Sequence, residues 1–320
     1  MTLRRQTVAP RYCPEGLMSD KKPLYVTRSY LPPKEEFYSC LDRIYESRIL
    51  TNQGSMVREL EQRLADYLGV PHLLACSNGT LSLILGLRLA GLSGKKVITT
   101  PFTYVATLST IIWENCTPVF ADIDPETLCL SPESLRACLR RHPDAAAVMP
   151  VHVYGNACDV EAIESICKEH GLVCLYDSCH TFGAAYKGRS LLSYGDLAVC
   201  SFHATKVFHT VEGGCLIVHS QEDAKKLALL RAFGHVGDDH LSVGLNAKMS
   251  ELHAAMGLTN LPRIDGLIAG RRAAYELYDA LLPWEHITRP RLVDVLECNY
   301  ASFPTFLKND ETVKTLPEFL

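Results

Sequence analysis

Short apolar runs, each closed by a polar turn and followed by a helically spaced apolar stripe, recur through the middle of this chain. Two helices precede them. Phe37, Leu41, Ile44 and Tyr45 predict a helix over 35–47; Val57, Leu60, Leu64 and Leu68 form the stripe of a second, which follows Gly54-Ser55 and stops at Gly69. From position 72 the period changes. Apolar runs at 73–76, 97–100, 119–123, 145–151, 172–176, 197–200 and 215–218 read as strands. Between them lie helical patterns over 81–90, 105–113 and 160–170, the last capped by Asp159 and ended by Gly171. Continuous apolar strands separated by amphipathic helices predict an α/β protein with a mostly parallel sheet covered on both faces. In such sheets, ligands sit beyond the carboxyl ends of the strands.

Three strand ends would bring polar groups to that edge: Asn78-Gly79-Thr80, Asp177 to His180, and Ser201-Phe202-His203-Ala204-Thr205-Lys206 closed by Glu212-Gly213-Gly214. The first is a glycine turn opening a helix, whose free amides and positive end suit an anion. Asp177 ends an apolar strand, as either a helix cap or the partner of a buried cation. Lys206 lies between two apolar strands. Burial lowers a lysine's pKa and yields the free amine that condenses with a carbonyl cofactor. Taken alone, each has a plainer reading: an N-cap turn, a cap, a lysine with its head in water. Together, phosphate seat, carboxylate and amine are the three anchors that pyridoxal phosphate needs.

With 320 residues, 47% of them hydrophobic, the chain is long enough for a large core and two domains. A net charge of -4 without a long basic run argues against nucleic-acid binding. Residues 1–16 carry Arg4, Arg5 and Arg11 but no apolar stretch, so they do not read as a signal peptide. No window is long and apolar enough to cross a membrane. Thirteen cysteines without a C-x-x-C pair suit reduced thiols in a cytoplasmic protein. No G-x-G-x-x-G follows a strand, which speaks against a nicotinamide oxidoreductase. His203, His209 and Cys179-His180 lack zinc-ligand spacing; His152 reads as a structural histidine, and His235 and His240 as part of a solvated loop.

The motifs around Lys206 and Asp177, with Pro150-Val151-His152-Val153-Tyr154-Gly155, Pro118 to Asp124 and Gly244-Leu245-Asn246-Ala247-Lys248-Met249, resemble those of the DegT/DnrJ-type (StrS-like) sugar-nucleotide aminotransferases. The resemblance runs from about Tyr25 to the chain end. It implies the type I aminotransferase fold: a large domain with a mostly parallel sheet, a smaller C-terminal domain, and a homodimer with shared active sites. It implies that Lys206 condenses with pyridoxal phosphate, Asp177 pairs with the pyridine nitrogen, and Tyr104 stacks on the ring. His180 would lie beside the phenolic oxygen. Gly79, Thr80, the Leu81 amide and Ser201 would hold the phosphate, and Asn246 would reach the neighbouring subunit's phosphate. The implied reaction moves an amino group, from glutamate as amino-acid donor, to a nucleotide sugar: C4 of a dTDP-4-keto-6-deoxyhexose, with C3 of a 3-keto sugar, or a weakly active regulatory relative, as alternatives.

The expected domains are a poorly ordered leader (1–24), a large cofactor-binding domain (25–250) and a small C-terminal domain (251–320). Helices at 250–258 and 264–282, a strand candidate at 299–307 and a helix at 311–320 make up the last. Members of the resembled family continue further, so the small domain is expected to be incomplete, with substrate closure affected.

Overall fold

The seven apolar runs pair into a single sheet, and the pleat sends alternate residues of each to opposite cores. The computed structural model describes residues 27–308, so the leader and the helix expected at 311–320 lie outside the described residues. The strands are β1 (His72–Cys76), β2 (Lys96–Thr99), β3 (Thr117–Phe120), β4 (Ala145–Val148), β5 (Val173–Asp177), β6 (Leu197–Ser201) and β7 (Gly214–Val218). Their order across the sheet is β1-β7-β6-β5-β4-β2-β3. Every neighbouring pair is parallel except the two that involve β7. On one face Ala75, Ile98, Val148, Tyr176, Cys200 and Ile217 join one hydrophobic core. Their neighbours Leu74, Val97, Ala147, Leu175, Val199 and Leu216 join the other.

Helices α1 (Lys34–Ser47) and α2 (Ser55–Leu68) pack on the first core, α3 (Gly79–Leu89) and α4 (Val105–Trp113) on the second. Two further helices, α5 (Pro132–Arg141) and α7 (Gln221–Leu230), add to those expected, whereas α6 (Val160–His170) lies where its apolar pattern predicts. α8 (Glu251–Asn260) falls after the expected domain boundary, yet it buries Ala254, Ala255 and Leu258 in the same core as α2. Its Glu251, 1% exposed, accepts the Met56 amide at 2.8 Å and the Val57 amide at 3.4 Å. The carboxylate thus closes the amino end of α2, which has no side-chain cap of its own. Arg231 pairs with Glu61 and the Ala75 carbonyl, fastening the end of α7 to α2 and β1.

The segment after α9 (Ile264–Leu281) returns to the sheet domain. Leu296–Glu297 pairs with Ala185–Tyr186, and Phe306–Leu307 pairs with Ile287–Thr288. Asn299, fully buried, donates to the carbonyls of His180 (2.8 Å) and Phe182 (2.9 Å), pinning the loop that follows Asp177. The strand expected over 299–307 is therefore short, and its first residues serve as an anchor instead.

Candidate active site

Because β1, β2, β4, β5 and β6 run the same way, the turns that follow them open on one edge of the sheet. A cavity of about 620 Å3 lies there, lined by Gly79 and Thr80 after β1, Thr103 and Tyr104 after β2, Tyr154 after β4, Asp177 and His180 at β5, and Ser201 and Lys206 at β6. Among the expected site residues, Gly79, Thr80, Tyr104, Asp177, His180, Ser201 and Lys206 meet in this one cavity. Leu81 and Asn246 are absent from its lining.

The amino end of α3 is forced close to β6 and β7. A Cβ on Gly79 would sit 3.0 Å from Ser201 Cβ, and one on Gly214 would sit 2.6 Å from the Gly79 nitrogen. At Gly214 only glycine permits this approach, and the amino end of α3 thereby opens on the cavity together with Thr80 and Ser201. The Leu81 amide differs from expectation: it donates to Asn78 Oδ1 at 2.8 Å, so the helix cap already occupies it. Asn246 is exposed, accepts from Lys248 Nζ at 2.7 Å and bridges Ala232.

Asp177 is 6% exposed. Its Oδ2 accepts the Thr107 hydroxyl at 2.7 Å and its Oδ1 the Cys179 amide at 3.2 Å. Among the described residues no cation forms an ion pair with it. A buried carboxylate held by neutral donors alone is costly, and a protonated ring nitrogen is the kind of partner it lacks. Lys206 is half-buried, and its Nζ forms no hydrogen bond or ion pair among the described residues. It borders a second cavity of about 690 Å3 lined by Arg28, Tyr30, Gly270 and Arg271, to which no carboxylate contributes among the described residues. The residues therefore fit pyridoxal phosphate in kind: an amine, a carboxylate with no cation paired to it among the described residues, and an anion cradle packed tightly around Gly79.

Tyr104, expected over the cofactor ring, caps the amino end of α4 and is 74% exposed. Tyr154 stacks on His180 instead, with centroids 6.4 Å apart. Burial and the nearby Lys206 ammonium hold His180 down to about 4, so its imidazole is neutral at physiological pH. His203 lies 3.6 Å from Glu212 at the cavity rim. His209 points away, contacting the Tyr30 carbonyl at 2.7 Å. His235 and His240 sit on an exposed two-stranded ladder apart from the cavity.

His152 is fully buried, stacked on Tyr176 with centroids 4.7 Å apart, and its Nδ1 accepts the Cys158 amide at 3.0 Å. Burial pulls it from 6.5 down to about 3. Because the unfolded value is the higher one, the unfolded chain binds a proton that the folded chain refuses. Its contribution to stability is complete above 6.5 and is lost as pH falls toward 3, at about 1.4 kcal/mol per pH unit. Urea unfolding of the parent and His152→Asn at pH 7 and pH 5 checks this. The stability gap between them should narrow at the lower pH, and a constant gap refutes the assignment.

The profile of the DegT/DnrJ/EryC1/StrS aminotransferase family matches residues 33–319. The dTDP-4-amino-4,6-dideoxy-D-glucose transaminase of Shigella dysenteriae is 39% identical over 294 residues, covering 91% of this chain and 79% of that protein. The Escherichia coli enzyme with the same description is 36% identical over 271 residues, covering 83% and 71%. Among solved structures, DesI in the presence of its TDP-sugar product is similar at a TM-score of 0.86 and 34% identity, over 92% of this chain and 74% of DesI. With a family match this extensive, the chain belongs to the DegT/DnrJ/EryC1/StrS aminotransferases, which depend on pyridoxal phosphate.

Proposed function

We propose that this enzyme transfers an amino group from glutamate to C4 of a dTDP-4-keto-6-deoxyhexose, acting in deoxyamino-sugar synthesis as a cytoplasmic homodimer. The observation that carries the reading is the meeting of Lys206 and Asp177, from adjacent parallel strands, on a cavity whose third corner is the amino end of α3. The description of the Shigella dysenteriae relative and the TDP-sugar product of DesI support the choice of sugar.

When bound, pyridoxal phosphate supplies a conjugated ring that takes up the electron pair left when a proton leaves the carbon bearing nitrogen. The chain's own groups divide the remaining work. Lys206 would hold the cofactor through its amine and would move the proton at the substrate carbon as base and then acid. Asp177 keeps negative charge at the ring nitrogen. Gly79, Thr80 and Ser201 would hold the phosphate with amides and hydroxyls, and Tyr104 would lie over the ring. Neutral His180 donates one N–H without adding charge beside Lys206. Asn246, exposed outside the cavity, serves the second protomer's phosphate. The cavity with Arg28 and Arg271 beyond Lys206 suits the sugar nucleotide's diphosphate.

The test is a two-stage reaction. Glutamate should convert the bound cofactor to pyridoxamine phosphate, seen by absorbance; a panel of keto-sugar nucleotides, read by mass, should then return an amino sugar from the dTDP-4-keto substrate. Arg271→Met should raise the KM for that substrate about tenfold while leaving the glutamate stage intact. Conversion by glutamate with no product from the 4-keto sugar overturns the substrate assignment. No conversion at all overturns the reaction.

A further inference from the structure

Behind Asp177 lies a pair of hydroxyls that neither spacing nor composition marks. Thr107, in the first turn of α4, is fully buried, and its hydroxyl reaches Asp177 Oδ2 at 2.7 Å. An ionised carboxylate only accepts, so Thr107 is the donor. That bond uses its single hydroxyl proton. The 2.7 Å contact between Thr103 Oγ1 and Thr107 Oγ1 must then be donated by Thr103. The charge of Asp177 thus orients a relay running Thr103 to Thr107 to carboxylate.

Two features set Thr107 apart from an ordinary helical threonine. Buried threonines in helices commonly turn the hydroxyl back to a carbonyl of the preceding turn, and Thr110 on the same helix does so, donating to the Thr107 carbonyl at 3.0 Å. Thr107 instead directs its hydroxyl across to another element. Thr103, moreover, lines the cavity and immediately precedes Tyr104. The relay therefore links the turn that carries Tyr104 to the carboxylate at the end of β5. With Cys179 N–H on Oδ1 at 3.2 Å, both oxygens are gripped, and the carboxylate cannot rotate without losing a bond.

We propose that Thr107, backed by Thr103, is a positioning residue that fixes the orientation of Asp177 toward the cofactor's ring nitrogen and ties it to the turn of Tyr104. The proposal rests on the reading of Asp177 given above. Losing a hydrogen bond to a charged group leaves Asp177 free to turn and its buried charge less stabilised.

The experiment uses Thr107→Val, which keeps the shape, Thr107→Ser, which keeps the hydroxyl, and Thr103→Val. Each apoprotein is titrated with pyridoxal phosphate by absorbance, melted without cofactor, and assayed in the glutamate stage at saturating cofactor. Thr107→Val should bind the cofactor about tenfold more weakly and slow the glutamate stage about tenfold with an unchanged KM for glutamate. Thr107→Ser should return both to within about threefold, and Thr103→Val should show a smaller loss of the same kind. Unaltered affinity and rate in Thr107→Val overturn the relay. So does a Thr107→Ser variant as impaired as Thr107→Val, or a loss confined to the apoprotein's melting temperature. Asp177→Asn is run alongside to separate two failures. Normal turnover there sinks the assignment of Asp177 itself, whereas a normal Thr107→Val beside a crippled Asp177→Asn sinks only the relay.

Discussion

Lys206→Ala should lose amino transfer by on the order of 10⁴-fold while folding as the parent does. The size follows from what else the cavity offers. Lys206 is the sole lysine lining it among the described residues. His180, which lines the same cavity, is held at about 4 by burial and the nearby Lys206 and is too weak to take a proton from carbon at neutral pH. Proton transfer at the substrate carbon would fall to water, and the covalent hold on the cofactor would go with the amine. Stability should barely change, by about 0.5 kcal/mol or less, because Nζ makes no hydrogen bond or ion pair among the described residues. The glutamate stage, followed at saturating cofactor together with the melting temperature, measures both. More than about one per cent residual turnover would place the reactive amine elsewhere.

The cavity was legible because its parts sit at strand ends, and strand ends are what apolar runs and their polar stops mark. Asp177 closes β5 and Ser201 closes β6, each one residue beyond the apolar run that announced it. Strand direction was not legible. β7 is as apolar as its parallel neighbours because it too is covered on both faces, so burial carries no sign of its reversal. α5 did carry a readable signal, with Ser131 capping through the Ser134 amide, Pro132 in the first turn and Leu135, Cys138 and Leu139 buried, but it lay between stronger strand patterns. Contacts across long stretches of chain had no local signature at all. Glu251 shows its role only when α2 is placed beside it, and Asn299, expected to open a strand, shows its role only when the loop after Asp177 arrives. Thr107 belongs to the same class: only the approach of α4 to β5 gives its hydroxyl a partner. The small-domain boundary near 250 rested on resemblance, and α8, just beyond it, packs within the core of the sheet domain.

Asp177→Asn is expected to slow the glutamate stage by on the order of 10³-fold, the second largest effect. A carboxylate and a protonated ring nitrogen about 4 Å apart gain roughly 4 kcal/mol at an effective dielectric near 20, which corresponds to about three powers of ten in rate if the charge is needed in the transition state. The amide keeps the volume and one acceptor. Seated with its oxygen on the Cys179 N–H, it turns its NH2 toward Thr107, whose hydroxyl must reverse to accept. The relay then runs backwards and the site carries no negative charge. Lys206 and the cradle at Gly79, Thr80 and Ser201 are untouched, so the cofactor should still bind. In the apoprotein the sign inverts: Asp177 is 6% exposed with no cation paired to it among the described residues, so removing its charge relieves desolvation. The apo variant should therefore melt no lower than the parent while turning over far more slowly once loaded. A carboxylate whose removal leaves the empty protein as stable and the loaded one nearly inert is held there for the reaction. An Asp177→Asn variant that turns over normally at full cofactor occupancy, or that unfolds readily when empty, would make it structural.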